Sequence, residues 1–155
     1  MACPSAQEVC MPQPFYNRLM STLLRSPLHG LISASIMLIT VTGRRSGSTY
    51  AVPVNYVRDD GTLIVMTQAD RTWWRNLRGG APVIVRLRGR EYHARAEAFE
   101  SASEVAAALV AVARLRPAYA RYFGIDLGAD GQPTDPDAAQ RAAQGRVIVR
   151  VSDLR

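Results

Sequence analysis

The sequence predicts a mainly β protein with helices, an α+β chain in which about six mostly antiparallel strands form a small barrel. Three observations carry this. Runs rich in Val, Ile, Thr and Tyr recur at residues 36–44, 49–58, 62–68, 82–88, 91–99 and 146–151. The turn signals Asp59-Asp60-Gly61 and Gly89-Arg90 join neighbouring runs as hairpins. Helical patterns fall at the start of the chain, between the third and fourth strands, and near the end, so helices dress the barrel and do not alternate with its strands.

A chain of 155 residues suits one domain with a sizeable core. We expect a flexible arm over 1–14, which carries three prolines, and a single domain over 15–155. Apolar residues make up 48% and charged residues 21%, the balance of a folded protein. The formal net charge is +6, and every basic residue is arginine. Such a chain attracts phosphates, carboxylates, nucleic acid or an anionic membrane, and guanidinium suits two-point binding of oxyanions. Cys3 and Cys10 both lie in the arm and build neither a disulfide framework nor a metal quartet. A reducing cytoplasm is the expected home, with no secretory signal. The apolar run 31–41 has about half the length of a membrane span.

Taken in order, residues 15–24 place Phe15, Leu19 and Leu23 at helical spacing, with Pro27 interrupting and a second turn possible over 28–33. This amphipathic helix either plugs the core or touches a membrane surface. The first three strands form a meander. Asp70 to Arg78 then breaks the alternation with one or two helical turns closed by Gly79-Gly80. For the next hairpin, a Gly89-Arg90 turn sets Leu87 opposite Tyr92, Val85 opposite Ala94 and Val83 opposite Ala96, separating apolar from charged residues. Ser101 and Glu104 form a capping box, and Val105, Ala108, Leu109, Val112 and Leu115 make a helical stripe ending at Pro117. Further helical pieces cover 118–123, stopped by Gly124, and a stretch opened by Asp135-Pro136 that runs to about Gln144. The terminal strand closes the barrel against an earlier edge.

Four features bear on chemistry. In "TVTGRRSGSTYAVPV", residues 40–54, Arg44, Arg45 and Ser46 lie between Gly43 and Gly47. They form either a solvated hairpin tip or a cradle for a phosphate or carboxylate tail. Trp73 and Trp74 stand among Arg71, Arg75, Asn76 and Arg78. Adjacent rings on a helix are not expected to share one core, so one should line a cleft or an interface, where it either stacks on a planar ligand or stands as a surface ring beside its core-packed neighbour. His29 and His93 are isolated, and Asp126 to Asp137 departs from a calcium loop at Gly128 and Asp137, so no metal is expected. Tyr119, Tyr122 and Phe123 serve either as core or lid aromatics or as the source of a proton during a reduction.

"LITVTGRRSGSTYAVPVNYVRDDGTLIVM" followed by "WWRNLRGGAPVIVRLRG" resembles the deazaflavin-dependent nitroreductase and quinone reductase family. The resemblance covers residues 15–100 clearly. It implies a split β-barrel related to FMN-binding, pyridoxamine-phosphate-oxidase-like barrels. It also implies coenzyme F-420, an 8-hydroxy-5-deazaflavin whose reduced ring gives hydride to nitro-aromatics, quinones or activated alkenes. By position, the resemblance assigns Arg44, Arg45, Ser46 and Gly47 to the coenzyme's phosphate and acidic tail. It assigns Pro53, Val54 and Asn55 to the strand whose backbone meets the ring, with Thr67, Gln68, Trp73 and Asn76 beside it. Tyr119 and Tyr122 fall on the substrate side. Tyr50 stands where many members carry a basic residue, and the loop from Gln68 to Trp73 is shorter than theirs. FMN is the alternative cofactor. The other functional readings are a non-catalytic carrier of a deazaflavin, flavin, haem or lipid, and a nucleic-acid binder, which the dispersed arginines disfavour. A homodimer is expected by analogy with the wider superfamily.

Overall fold

The computed structural model describes residues 35–155. The expected arm over 1–14, the helix over 15–24, the turn over 28–33, His29 and both cysteines lie outside the described residues, and the idea of membrane contact goes with them. Among the described residues, no helix is long and apolar enough to cross a membrane.

Six strands form a closed antiparallel barrel: β1 (Ile36–Thr42), β2 (Thr49–Asp59), β3 (Thr62–Gln68), β4 (Ala81–Leu87), β5 (Arg90–Phe99) and β6 (Arg146–Ser152). Their spatial order is β1-β2-β3-β6-β5-β4, and β4 returns to pair with β1. The terminal strand therefore joins two edges at once, β3 on one side and β5 on the other. β1 ends at Thr42, two residues short of the expected end, because the chain turns from Gly43 onward.

Side-chain alternation sorts each strand into two faces. Met37, Ile39, Val41, Leu63, Val65, Val83, Val85, Leu87, Val147, Val149 and Val151 fill the barrel interior. Val57, Ile64 and Ile148 point outward and meet Val105, Leu109 and Val112 of α1 (Ala102–Leu115), together with the alanines of α3 (Ala138–Ala143). Burying each such Val, Leu or Ile is worth about 1.5–3 kcal/mol, so this second core holds the helices to the outside of β6. The serine half of the capping box forms as expected, Ser101 Oγ accepting from the Glu104 N–H at 3.4 Å, while the Glu104 carboxylate accepts from the Ser101 hydroxyl at 2.6 Å in place of the backbone N–H. Pro117 then opens α2 (Pro117–Phe123), which Gly124 closes.

Two expectations are corrected. In the β4–β5 hairpin Leu87 faces Arg90, Val85 faces Tyr92 and Val83 faces Ala94, a pairing displaced by two residues from the expected one. The turn is Arg88-Gly89, with φ of +47° and +80°, so the glycine takes the second position and both turn residues are left-handed. The displacement is even, so every side chain keeps its expected face. The tryptophans form the second correction. Trp73 and Trp74 are both buried, at 7% and 2% exposure, and both join the barrel-interior cluster. They sit on a five-residue 3-10 helix, Trp73–Leu77, packed against β1 and β5. Trp74 fits because two guanidinium groups cover it, Arg75 at 5.7 Å and Arg78 at 5.0 Å from the ring centroid.

Candidate functional site

The site residues expected from the sequence gather at two places along β2. The first is the turn between β1 and β2. The Gly43 N–H donates to the Ser48 carbonyl and the Gly47 N–H to the Gly43 carbonyl, each at 2.8 Å. Gly47 sits at φ +69°, a left-handed position that closes this turn without strain. Ser46 Oγ accepts from the Ser48 N–H at 3.2 Å. Arg44 and Arg45 are left exposed at the tip.

The 3-10 helix braces this turn through one side chain. Asn76 Oδ1 accepts the Arg44 backbone N–H at 3.0 Å, and Asn76 Nδ2 donates to the Tyr50 hydroxyl at 2.8 Å and to the Trp73 carbonyl at 3.1 Å. The Arg44 guanidinium donates to the Arg78 carbonyl. Arg78 itself is neutralised by Glu100, whose carboxylate accepts at 2.6 and 2.8 Å and is held below its ordinary pKa mainly by those hydrogen bonds. Burial raises the Tyr50 phenol above its ordinary value against the opposing Asn76 contact, so Tyr50 stays a neutral donor. Among the described residues Arg45 has no hydrogen-bond or ion-pair partner.

The second place is a cleft of about 410 Å³ that opens beside the middle of β2, at Asn55. Asn55, Met66, Thr67 and Gln68 form one wall, and Ala118, Tyr119, Tyr122 and Phe123 of α2 form the other, with Arg146 at its end. Phe123 stacks on Tyr119 at 5.9 Å between centroids and meets Tyr122 edge-on at 5.1 Å. Five residues separate Tyr50 from Asn55, so the turn and the cleft lie about 17 Å apart along the strand.

What joins the two places is a parting of strands. β2 and β3 pair from Asp59↔Thr62 to Tyr56↔Val65, and there the ladder stops. Continued pairing would set Asn55 against Met66 and Pro53 against Gln68, the region where the cleft opens instead. The Tyr56 N–H donates to the Ser35 carbonyl on the β1 side, so the backbone groups of Ala51, Pro53 and Asn55 face the other way, towards the gap. Pro53 has no N–H to give to a ladder at that edge. Among the described residues, Thr49 to Asn55 therefore pair with β1 alone and present a free backbone edge running from turn to cleft.

The fold and this opened edge define a class, the split β-barrels related to pyridoxamine-phosphate oxidases. A putative pyridoxamine 5'-phosphate oxidase from Listeria innocua superimposes with a TM-score of 0.50 at 14% identity, over 83% of this chain and 92% of that one. An F-420-H2 dependent reductase aligns at 19% identity over 76% of this chain and 94% of that chain, with a TM-score of 0.48. The general stress FMN/FAD binding protein from Xanthomonas citri aligns at 16% identity over 92% of this chain and 87% of that chain, with a TM-score of 0.46. No curated protein matches the chain in sequence. Residues 20–125 match the F-420H(2)-dependent quinone reductase family, and the chain belongs to that family. It is an oxidoreductase that uses coenzyme F-420.

The residues present fit that coenzyme. A free strand edge can meet a flat ring, a cleft of this volume admits the ring and an acceptor, and an arginine turn lies within reach of an anionic tail.

Proposed function

We propose that this chain reduces a small planar acceptor, a quinone, nitro-aromatic or activated alkene, in the cleft between the parted strands and α2. The parting of β2 from β3 at Tyr56 carries the reading, because it opens a backbone edge that leads from the arginine turn to the aromatic cleft. Bound in its reduced form, F-420 supplies the hydride. Arg44 and Arg45 hold the phosphate and acidic tail, Ser46 and Gly47 shape the turn that presents them, and Tyr50 adds a neutral hydroxyl where many relatives place a base. The backbone of Pro53, Val54 and Asn55 meets the ring, and Thr67 and Gln68 border it. Trp73 and Asn76 act from behind, since the indole is buried and the amide is already engaged by the turn. Tyr119 and Tyr122 exclude water from the cleft and are placed to hand a proton to the reduced acceptor.

Titration with F-420 and, separately, FMN, followed by hydride transfer to menadione, tests this. Tight binding of F-420 over FMN is expected, with turnover. Loss of two charge-assisted contacts in the Arg44→Ala/Arg45→Ala variant should raise the Kd at least about tenfold, and most at low salt. Binding without turnover on any acceptor would point to a carrier, and absence of F-420 binding would end the proposal.

A further inference from the structure

Arg146, the first residue of β6, is the one charged side chain lining the cleft among the described residues. The other polar groups on the walls are neutral: Asn55, Thr67, Gln68 and two phenols. The guanidinium is half-buried and fixed from two sides. One terminal nitrogen donates to the Ala142 carbonyl in the last turn of α3, and the group lies 5.2 Å from the Phe123 ring centroid. No carboxylate pairs with it among the described residues. Arginine carries five N–H donors, so most of this group's donors remain free.

A fixed, unneutralised cation against the aromatic wall of a half-enclosed cleft attracts an anion more strongly than one in open water, because the local dielectric is lower. Its planar fork matches a carboxylate or an ionised hydroxyl beside a carbonyl. We propose that Arg146 selects the acceptor by charge: the substrate class is a planar aromatic or quinonoid molecule carrying an anionic substituent. The inference rests on the cleft being the acceptor site. It assigns Arg146 to specificity, beyond its service as a cap on α3.

Isothermal titration of the coenzyme-free protein with 4-nitrobenzoate and with neutral 4-nitrobenzamide tests it. The protein should prefer the benzoate by about tenfold or more, the scale of one charged hydrogen-bonded contact. Arg146→Gln should abolish that preference while leaving benzamide affinity within about twofold, and Arg146→Lys should keep part of it. Arg150→Gln, which removes a charge from the same strand outside the cleft, should keep it whole. Equal affinity of the native protein for both probes, or no binding of either, would overturn the assignment. So would equal losses for both probes in Arg146→Gln, which would mark a purely structural role. These titrations contain no coenzyme, so failure of F-420 binding leaves them interpretable, and failure of the charge preference leaves the coenzyme reading intact.

Discussion

Asn76 uses both amide hydrogens and one acceptor position of its carbonyl on its own chain, accepting from Arg44 and donating to Tyr50 and to Trp73. A residue so engaged positions the anion-binding turn and has little left for a ligand. Asn76→Ala strands three partners, one of them the Trp73 carbonyl beside a buried ring, and should cost about 1–3 kcal/mol in urea denaturation. F-420 affinity should fall with it, while kcat at saturating coenzyme stays near native. Tyr50 offers a second readout at this scale. Its pKa is raised in the folded protein, mainly by burial, so the folded state holds this proton more firmly than the unfolded chain. The associated stability is complete below the ordinary tyrosine pKa and is lost as pH rises through the folded value. Tyrosinate absorbance during alkaline titration should contain one late-ionising group that Tyr50→Phe removes, together with steeper alkaline unfolding in the native protein than in the variant.

Among the elements, α2 differs from the rest. It carries the aromatic wall of the cleft, yet none of its residues is fully buried, and Tyr122 is 71% exposed. Its anchors are the partial burial of Tyr119 and Phe123 and, just beyond its end, the fully buried Ile125. α1 by contrast buries Val105, Leu109 and Val112 completely. Elements with few buried apolar contacts open first. Amide exchange in α2 should therefore outpace that in α1 and β6 by at least about a hundredfold, and a bound acceptor should slow it. Equal protection of α1 and α2 would contradict this.

At the scale of the whole molecule, β6 lies between two cores, with Val147, Val149 and Val151 facing the barrel and Ile148 facing the helices. Much of this was legible. Runs rich in β-branched and aromatic residues marked the strands, Ser101 and Glu104 marked the start of α1, and the Asp60-Gly61 turn marked the β2–β3 hairpin, because each signal is local. What failed depended on context. Gly89 fits either position of a two-residue turn, and only the left-handed conformation of Arg88 decides which. The tryptophans share a core because Arg75 and Arg78 cover Trp74, a contact no spacing rule contains. The arginine turn and the Asn76 segment were linked by resemblance, but the bond between them spans 32 residues. Arg146 gave no signal, since it meets α2 only in three dimensions. The gap in the barrel did carry a local signal, since a proline within a strand-like run marks an edge, yet the expected meander ran straight through Pro53.

Pro53 also bears on how this protein behaves at high concentration. A strand edge kept free for a ligand is equally a template for a stranger's strand, and a neighbouring molecule could extend the sheet there and begin an aggregate. An invading strand would meet a missing donor at Pro53, within the seven-residue stretch whose edge away from β1 no described strand covers. The same residue that leaves the barrel ajar thus guards it against self-association, which makes proline at this position harder to replace than its half-buried side chain suggests.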